Sequence, residues 1–67
     1  MLKVNSVKMR DLMFARQFNI ATLARVAKLT KKTISSLLSG KSANFKTIGK
    51  ISAALQVPAT DLLFEEN

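Results

Sequence analysis

The chain has 67 residues and a formal net charge of +7, from eleven Lys and Arg against four Asp and Glu. It has no Cys and no His, which removes disulfides, thiolate chemistry and the commonest general base and metal ligand. Three of the four acids fall in the last seven positions, so a carboxylate active site is not expected, nor are an enzyme, a metal site or a cofactor.

A chain of this size is expected to form one domain over residues 1–67, burying only about 60% of its unfolded surface. Its charge is lopsided. Every Lys and Arg lies within residues 1–50, where Asp11 is the lone acid, so residues 1–57 carry +10 and residues 58–67 carry −3. Such a field attracts polyanions, although a basic soluble protein without a nucleic-acid partner has the same composition. No apolar run approaches the ~20 residues that span a bilayer. MLKVNSVKMR lacks a hydrophobic signal core. A cytoplasmic protein without a membrane partner is expected.

Residues 1–4 precede Asn5 and Ser6, either of which can cap a first helix reaching about Gln17. Met9, Leu12, Met13 and the stem of Arg16 share one face of it. Val7 and Phe14 fall on the opposite face, where they either pack against the N-terminal arm or C-terminal tail, or form a subunit contact. Phe18 reads as a core plug between helices.

The next stretch, Asn19 to Gly40, reads as two short helices joined by a tight turn. In the first, capped by Asn19, Ile20, Leu23, Ala24 and Ala27 recur at i, i+3, i+4, i+7. The second, about residues 31–39, is capped by Thr30 and buries Ile34, Leu37 and Leu38. Gly40 ends it in a conformation where glycine is least strained. Only Lys28 and Leu29 remain for the corner.

With Ile34, Leu37 and Leu38 inward, Lys32, Ser36 and Ser39 face outward, flanked by Thr33 and Ser35. Lys31 sits on the first turn. The exposed face is therefore small, hydroxyl-bearing and cationic at its start. A helix of roughly 15 Å with no bulky exposed side chain suits a DNA major groove about 12 Å wide.

Lys41-Ser42-Ala43 reads as a loop, and Asn44 caps a fourth helix from Phe45 to about Leu55. Phe45, Ile48, Ser52 and Leu55 line its inner face, and Gly49 lets a neighbouring helix approach. Lys46 and Lys50 form a solvated face from which Lys46 can touch a phosphate. Pro58 breaks the helix and can begin another, over Ala59 to about Leu63, which gives Leu62 to the core. Leu63 and Phe64 are left to fold back or to meet a second subunit. The expected fold is all-α: a compact five-helix bundle with a helix-turn-helix at about residues 20–39.

The order of elements and the segment LARVAKLTKKTISSLLSGK resemble the helix-turn-helix domain of the phage repressor/Cro (XRE) family. The resemblance covers about residues 5–63. Leu23-Ala24, Leu29-Thr30, Thr33-Ile34-Ser35 and Gly40-Lys41 stand at the family's positions, as does Ile48…Ile51…Ala54-Leu55-Gln56-Val57…Asp61-Leu62. The resemblance implies that Lys31, Lys32, Thr33 and Ser36 read base edges, the lysines preferring guanine O6 and N7. It places Ser39, Lys41 and Ser42 against phosphates, together with backbone amides at the start of helix two, and Thr30 and Lys46 complete the phosphate candidates. For the lysines the competing reading is a merely solvated helix start. That reading is poor for stability, because cations oppose the helix dipole there.

Three departures stand out. Ile20 replaces a glutamine that in the family touches phosphate. Met13 and Leu38 replace a buried ion pair, an exchange that is often neutral or stabilising. Lys28 occupies the turn position usually given to glycine.

The function this implies is sequence-specific binding of double-stranded DNA by a transcriptional regulator, a repressor, acting on an inverted-repeat operator. A homodimer is expected at least on DNA, with half-sites about 34 Å apart and Leu63, Phe64, Val7 and Phe14 as dimer candidates. No small-molecule ligand is expected. An antitoxin-like or anti-repressor module binding another protein uses the same fold, and nonspecific coating of nucleic acid is the third reading.

Overall fold

The computed structural model describes residues 2–63. In chain order they form β1 (Leu2–Lys3), α1 (Ser6–Ala15), α2 (Ile20–Ala27), α3 (Lys31–Leu38), β2 (Ser42–Ala43), α4 (Phe45–Leu55) and a 3₁₀ turn at Ala59–Leu62. The fold therefore departs from an all-α bundle of five helices. The described residues are mostly helical but form four α-helices, the fifth segment is a single 3₁₀ turn, and the expected loop at 41–43 holds a strand. β1 and β2 pair antiparallel, Leu2 with Ala43 and Lys3 with Ser42. No described helix is long and apolar enough to cross a membrane.

All four helices start the same way. Asn5, Asn19, Thr30 and Asn44 are extended N-caps whose side-chain oxygens accept from the backbone N–H three residues on: Lys8 (3.2 Å), Thr22 (2.8 Å), Thr33 (3.2 Å) and Thr47 (2.9 Å). No first turn carries an acid. The cap oxygen is thus the one negative group set against each helix's positive end.

They also end alike. Gln17, Lys28, Gly40 and Gln56 adopt left-handed backbone with φ of 57°, 59°, 98° and 59°. After each, the next residue's N–H reaches back five positions: Phe18 to Met13, Leu29 to Ala24, Lys41 to Ser36 and Val57 to Ser52, at 2.8–3.1 Å. This wrap satisfies a terminal carbonyl and turns the chain inward. Phe18, Leu29 and Val57 consequently lie half-buried against the core.

Helix faces supply that core. Met9 and Met13 come from α1, Leu23, Ala24 and Ala27 from α2, Ile34 and Leu37 from α3, and Ile48, Ile51 and Leu55 from α4. Val4, Ala43 and Leu62 close it. The N-terminal arm is built into the fold, for Val4 bridges Leu63 and the Asn5 N–H donates to the Leu62 carbonyl at 2.7 Å.

Several expectations change here. Helix one ends at Ala15, with Arg16 as its cap, rather than at Gln17. Val7 and Phe14 stay 68% and 86% exposed, so neither packs on the described arm. Phe45 is 78% exposed instead of inner-facing. It occupies the first turn of α4, where side chains tilt toward the helix N-terminus and so beyond the core. A Cβ built on Gly49 would meet nothing within 4 Å, so no helix approaches there. Ile20 is also exposed at the start of α2.

Two stability outcomes follow from this packing. Leu23→Ala removes a fully buried side chain from the middle of α2 and is expected to cost about 2–5 kcal/mol, enough to leave much of the chain unfolded at 25 °C by circular dichroism. Lys28→Gly relieves a left-handed lysine and is expected to gain about 1 kcal/mol; an unchanged or lower urea midpoint would show that no strain is held at that corner.

Candidate nucleic-acid interface

The α2–α3 pair is held at a sharp corner by Lys28 and Leu29, and it turns one face of α3 outward. Lys31 and Lys32 are exposed on its first turn, Thr33 and Ser36 are half-exposed, and Ser39 is exposed at its C-cap. Ile34 and Leu37, fully inside, set that orientation.

An open groove runs between α3 and the β2–α4 junction. One wall is Lys32, Thr33 and Ser36, and the other is Ser42, Asn44 and Thr47. Leu37 and Ala43 form its floor. The groove brings together three of the four base-reading candidates and one phosphate candidate, Ser42. Lys31, Ser39, Lys41, Thr30 and Lys46 lie outside its lining. Asn44 and Thr47 enter the site unannounced. Their sequence signal, a cap and the residue three beyond it, was legible only as helix punctuation.

Hydrogen bonding sorts the hydroxyls. Thr30 Oγ1 and Thr33 Oγ1 lie 2.9 Å apart and share a hydrogen bond, while Thr30 Oγ1 also accepts from the Thr33 N–H. Ser39 Oγ donates to the Ser36 carbonyl at 2.8 Å. Both pairs are committed inside α3. Among the described residues the Ser36 and Ser42 hydroxyls have no partner, so each can donate or accept toward a guest in the groove.

The electrostatics are one-sided. Lys31, Lys32, Lys41 and Lys46 are all exposed, whereas the described acids are Asp11 in α1 and Asp61 in the 3₁₀ turn. Neither acid lines the groove. The positive end of α3 adds to this field. A cationic, hydroxyl-walled groove along an exposed helix fits a polyanion that presents hydrogen-bonding edges.

The dimer candidates separate. Val7 and Phe14 are exposed on α1. Leu63 is half-buried, bridged to Val4 and packed on the chain's own core. Phe64 lies outside the described residues.

Known proteins agree with this geometry. The family model of the Cro/C1-type HTH DNA-binding domain matches residues 8–64. No curated protein matches the chain. Among solved structures it is similar to the Streptomyces albus HEPD with substrate 2-hydroxyethylphosphonate and Fe(II) bound, at 24% identity and a TM-score of 0.79. That similarity covers 87% of this chain but 13% of the other, and it concerns the fold alone. With the family match spanning both helices of the motif and the α2–α3 corner in place, the chain belongs to the Cro/C1-type helix-turn-helix DNA-binding domain family.

Proposed function

We propose that this chain is a sequence-specific regulator of transcription, acting chiefly as a repressor, that lays α3 in the major groove of double-stranded DNA. The observation that carries this reading is the exposed α3 face. Lys32, Thr33 and Ser36 stand side by side along a groove that no acid enters. In the proposed complex Lys31 and Lys32 read guanine edges, Ser36 donates to or accepts from a base, and Thr33 offers its methyl to thymine because its hydroxyl is already paired with Thr30. Ser42, Lys41, Lys46 and the first amides of α2 hold phosphates. Thr30 serves mainly as the cap that positions the lysines, and the Ser39 hydroxyl contributes lone pairs rather than its proton. The operator is an inverted repeat occupied by a homodimer, and the protein works in the cytoplasm without a small-molecule ligand.

The alternative is an antitoxin-like or anti-repressor module. It draws on a specific observation: Phe14, Phe45 and Val7 are exposed apolar side chains suited to a protein partner. None of them lies on α3, which carries only Lys, Thr and Ser outward, and this favours DNA as the primary partner.

The experiment is selection from randomised duplex DNA at near-physiological salt, followed by sequencing. An enriched inverted repeat with guanines under the lysines supports the reading; no enrichment with salt-sensitive binding reduces it to nonspecific coating. On the selected site, Lys32→Ala is expected to weaken binding by roughly 1–3 kcal/mol with unchanged circular dichroism. Lys46→Ala should weaken all duplexes alike and lower the slope of log K against log salt by about 1.

A further inference from the structure

The two ends of α3 are held differently. Thr30 caps the start from within the motif. At the other end Ser35 and Ser36 accept from the Ser39 N–H, and Leu37 accepts from the Gly40 N–H. The Leu38 carbonyl is left over. Among the described residues no backbone N–H reaches it, and the last turn of α3 carries no basic side chain of its own. Its donor comes from another helix: one Nη of Arg10, on α1, lies 3.3 Å from the Leu38 oxygen.

We infer that Arg10 is a positioning residue for the DNA-reading face. It holds the C-terminal end of α3 so that Lys32, Thr33 and Ser36 keep their alignment on the bases. The inference rests on the proposed role of α3 and adds a residue that does not itself touch the duplex.

Three observations carry it. The bond is charge-assisted and brings a cation to the negative end of α3, which lacks one. Inside, Met13 of α1 and Leu38 are both apolar, so no charged pair joins the two helices there. Apolar packing decides which face of α3 is buried but has no direction, whereas a hydrogen bond does. Finally, Leu38 is the last residue of α3, and four residues later the chain forms the second wall of the groove at Ser42. A shift at Leu38 therefore moves both walls.

Arg16 supplies the control. It caps the same helix and carries the same charge, but its Nη1 donates to Gln56 Oε1 at 3.0 Å, at the end of α4 instead of α3. The test compares Arg10→Met, Arg10→Lys and Arg16→Met in the intact chain. Without DNA, amide hydrogen exchange at Ser39 to Lys41 is expected to quicken several-fold relative to α4 in Arg10→Met. It should stay unchanged in Arg16→Met and return toward wild type in Arg10→Lys, which keeps a cationic donor. With DNA, well below the unfolding midpoint, Arg10→Met should cut the ratio of selected-site to random-duplex affinity by roughly three- to tenfold. Arg16→Met should spare that ratio and Arg10→Lys restore it. Lost stability alone lowers binding to both duplexes alike and leaves the ratio intact.

Unaltered exchange in Arg10→Met overturns the inference whatever the DNA result. So does an equal loss on every duplex with a shallower salt slope, which would make Arg10 a phosphate contact. An equal fall of the ratio in Arg16→Met overturns it too. If the wild-type chain selects no site, the proposed function falls, and the exchange measurement still decides whether Arg10 holds α3.

Discussion

The corner at Lys28 decides which face α3 turns outward. Its left-handed backbone, φ 59° and ψ 44°, ends α2 and lets the Leu29 N–H close on the Ala24 carbonyl at 2.8 Å. Leu29 is thereby driven against the core, and Thr30 comes into position to cap α3. Leu23, Ala24 and Ala27 on one side and Ile34 and Leu37 on the other fix the rotation of the two helices. The outward face of α3 is what those buried residues leave over. A left-handed lysine costs of order 1 kcal/mol relative to glycine, and the wrap and the burial of Leu29 offset it.

The same balance explains the helix starts. Lys31 and Lys32 oppose the positive end of α3, each unfavourable by roughly 0.3–1 kcal/mol. Thr30, with its two contacts to Thr33, supports the first turn despite them. A helix chosen for stability alone would carry acids there. Placing cations where acids are favoured is a local conflict of the kind found at functional sites, where binding rather than folding sets the residue.

How far this was legible in the sequence depends on which physical signal each feature carries. The caps Asn19, Thr30 and Asn44 and the stripes of α2 and α3 are local and periodic, and they could be read directly. Gly40 announced its own positive φ. Gln17 and Gln56 did not, because nothing in a glutamine marks a left-handed position, and the motif is recognisable only from the bond five residues back. The β1–β2 pair was hidden for another reason. Two residues are too few to alternate, and their partner lies about forty positions away. Phe45 matched the helical period of α4 but stands one turn too early to reach the core. In the site, the α3 face followed from its buried side, whereas Asn44 and Thr47 depend on how α4 begins beside β2, which is tertiary information.

The exposed apolar residues have the same origin. The chain spends its large aliphatic side chains on one small core, so Phe14 and Phe45, both left outside, are not surplus from a filled interior; Met9 and Met13 occupy the corresponding inner face of α1. Replacing either phenylalanine with a polar residue would remove no buried contact. Their retention on a protein this small, with little hydrophobic stabilisation to spare, makes sense where burial occurs on association instead of on folding.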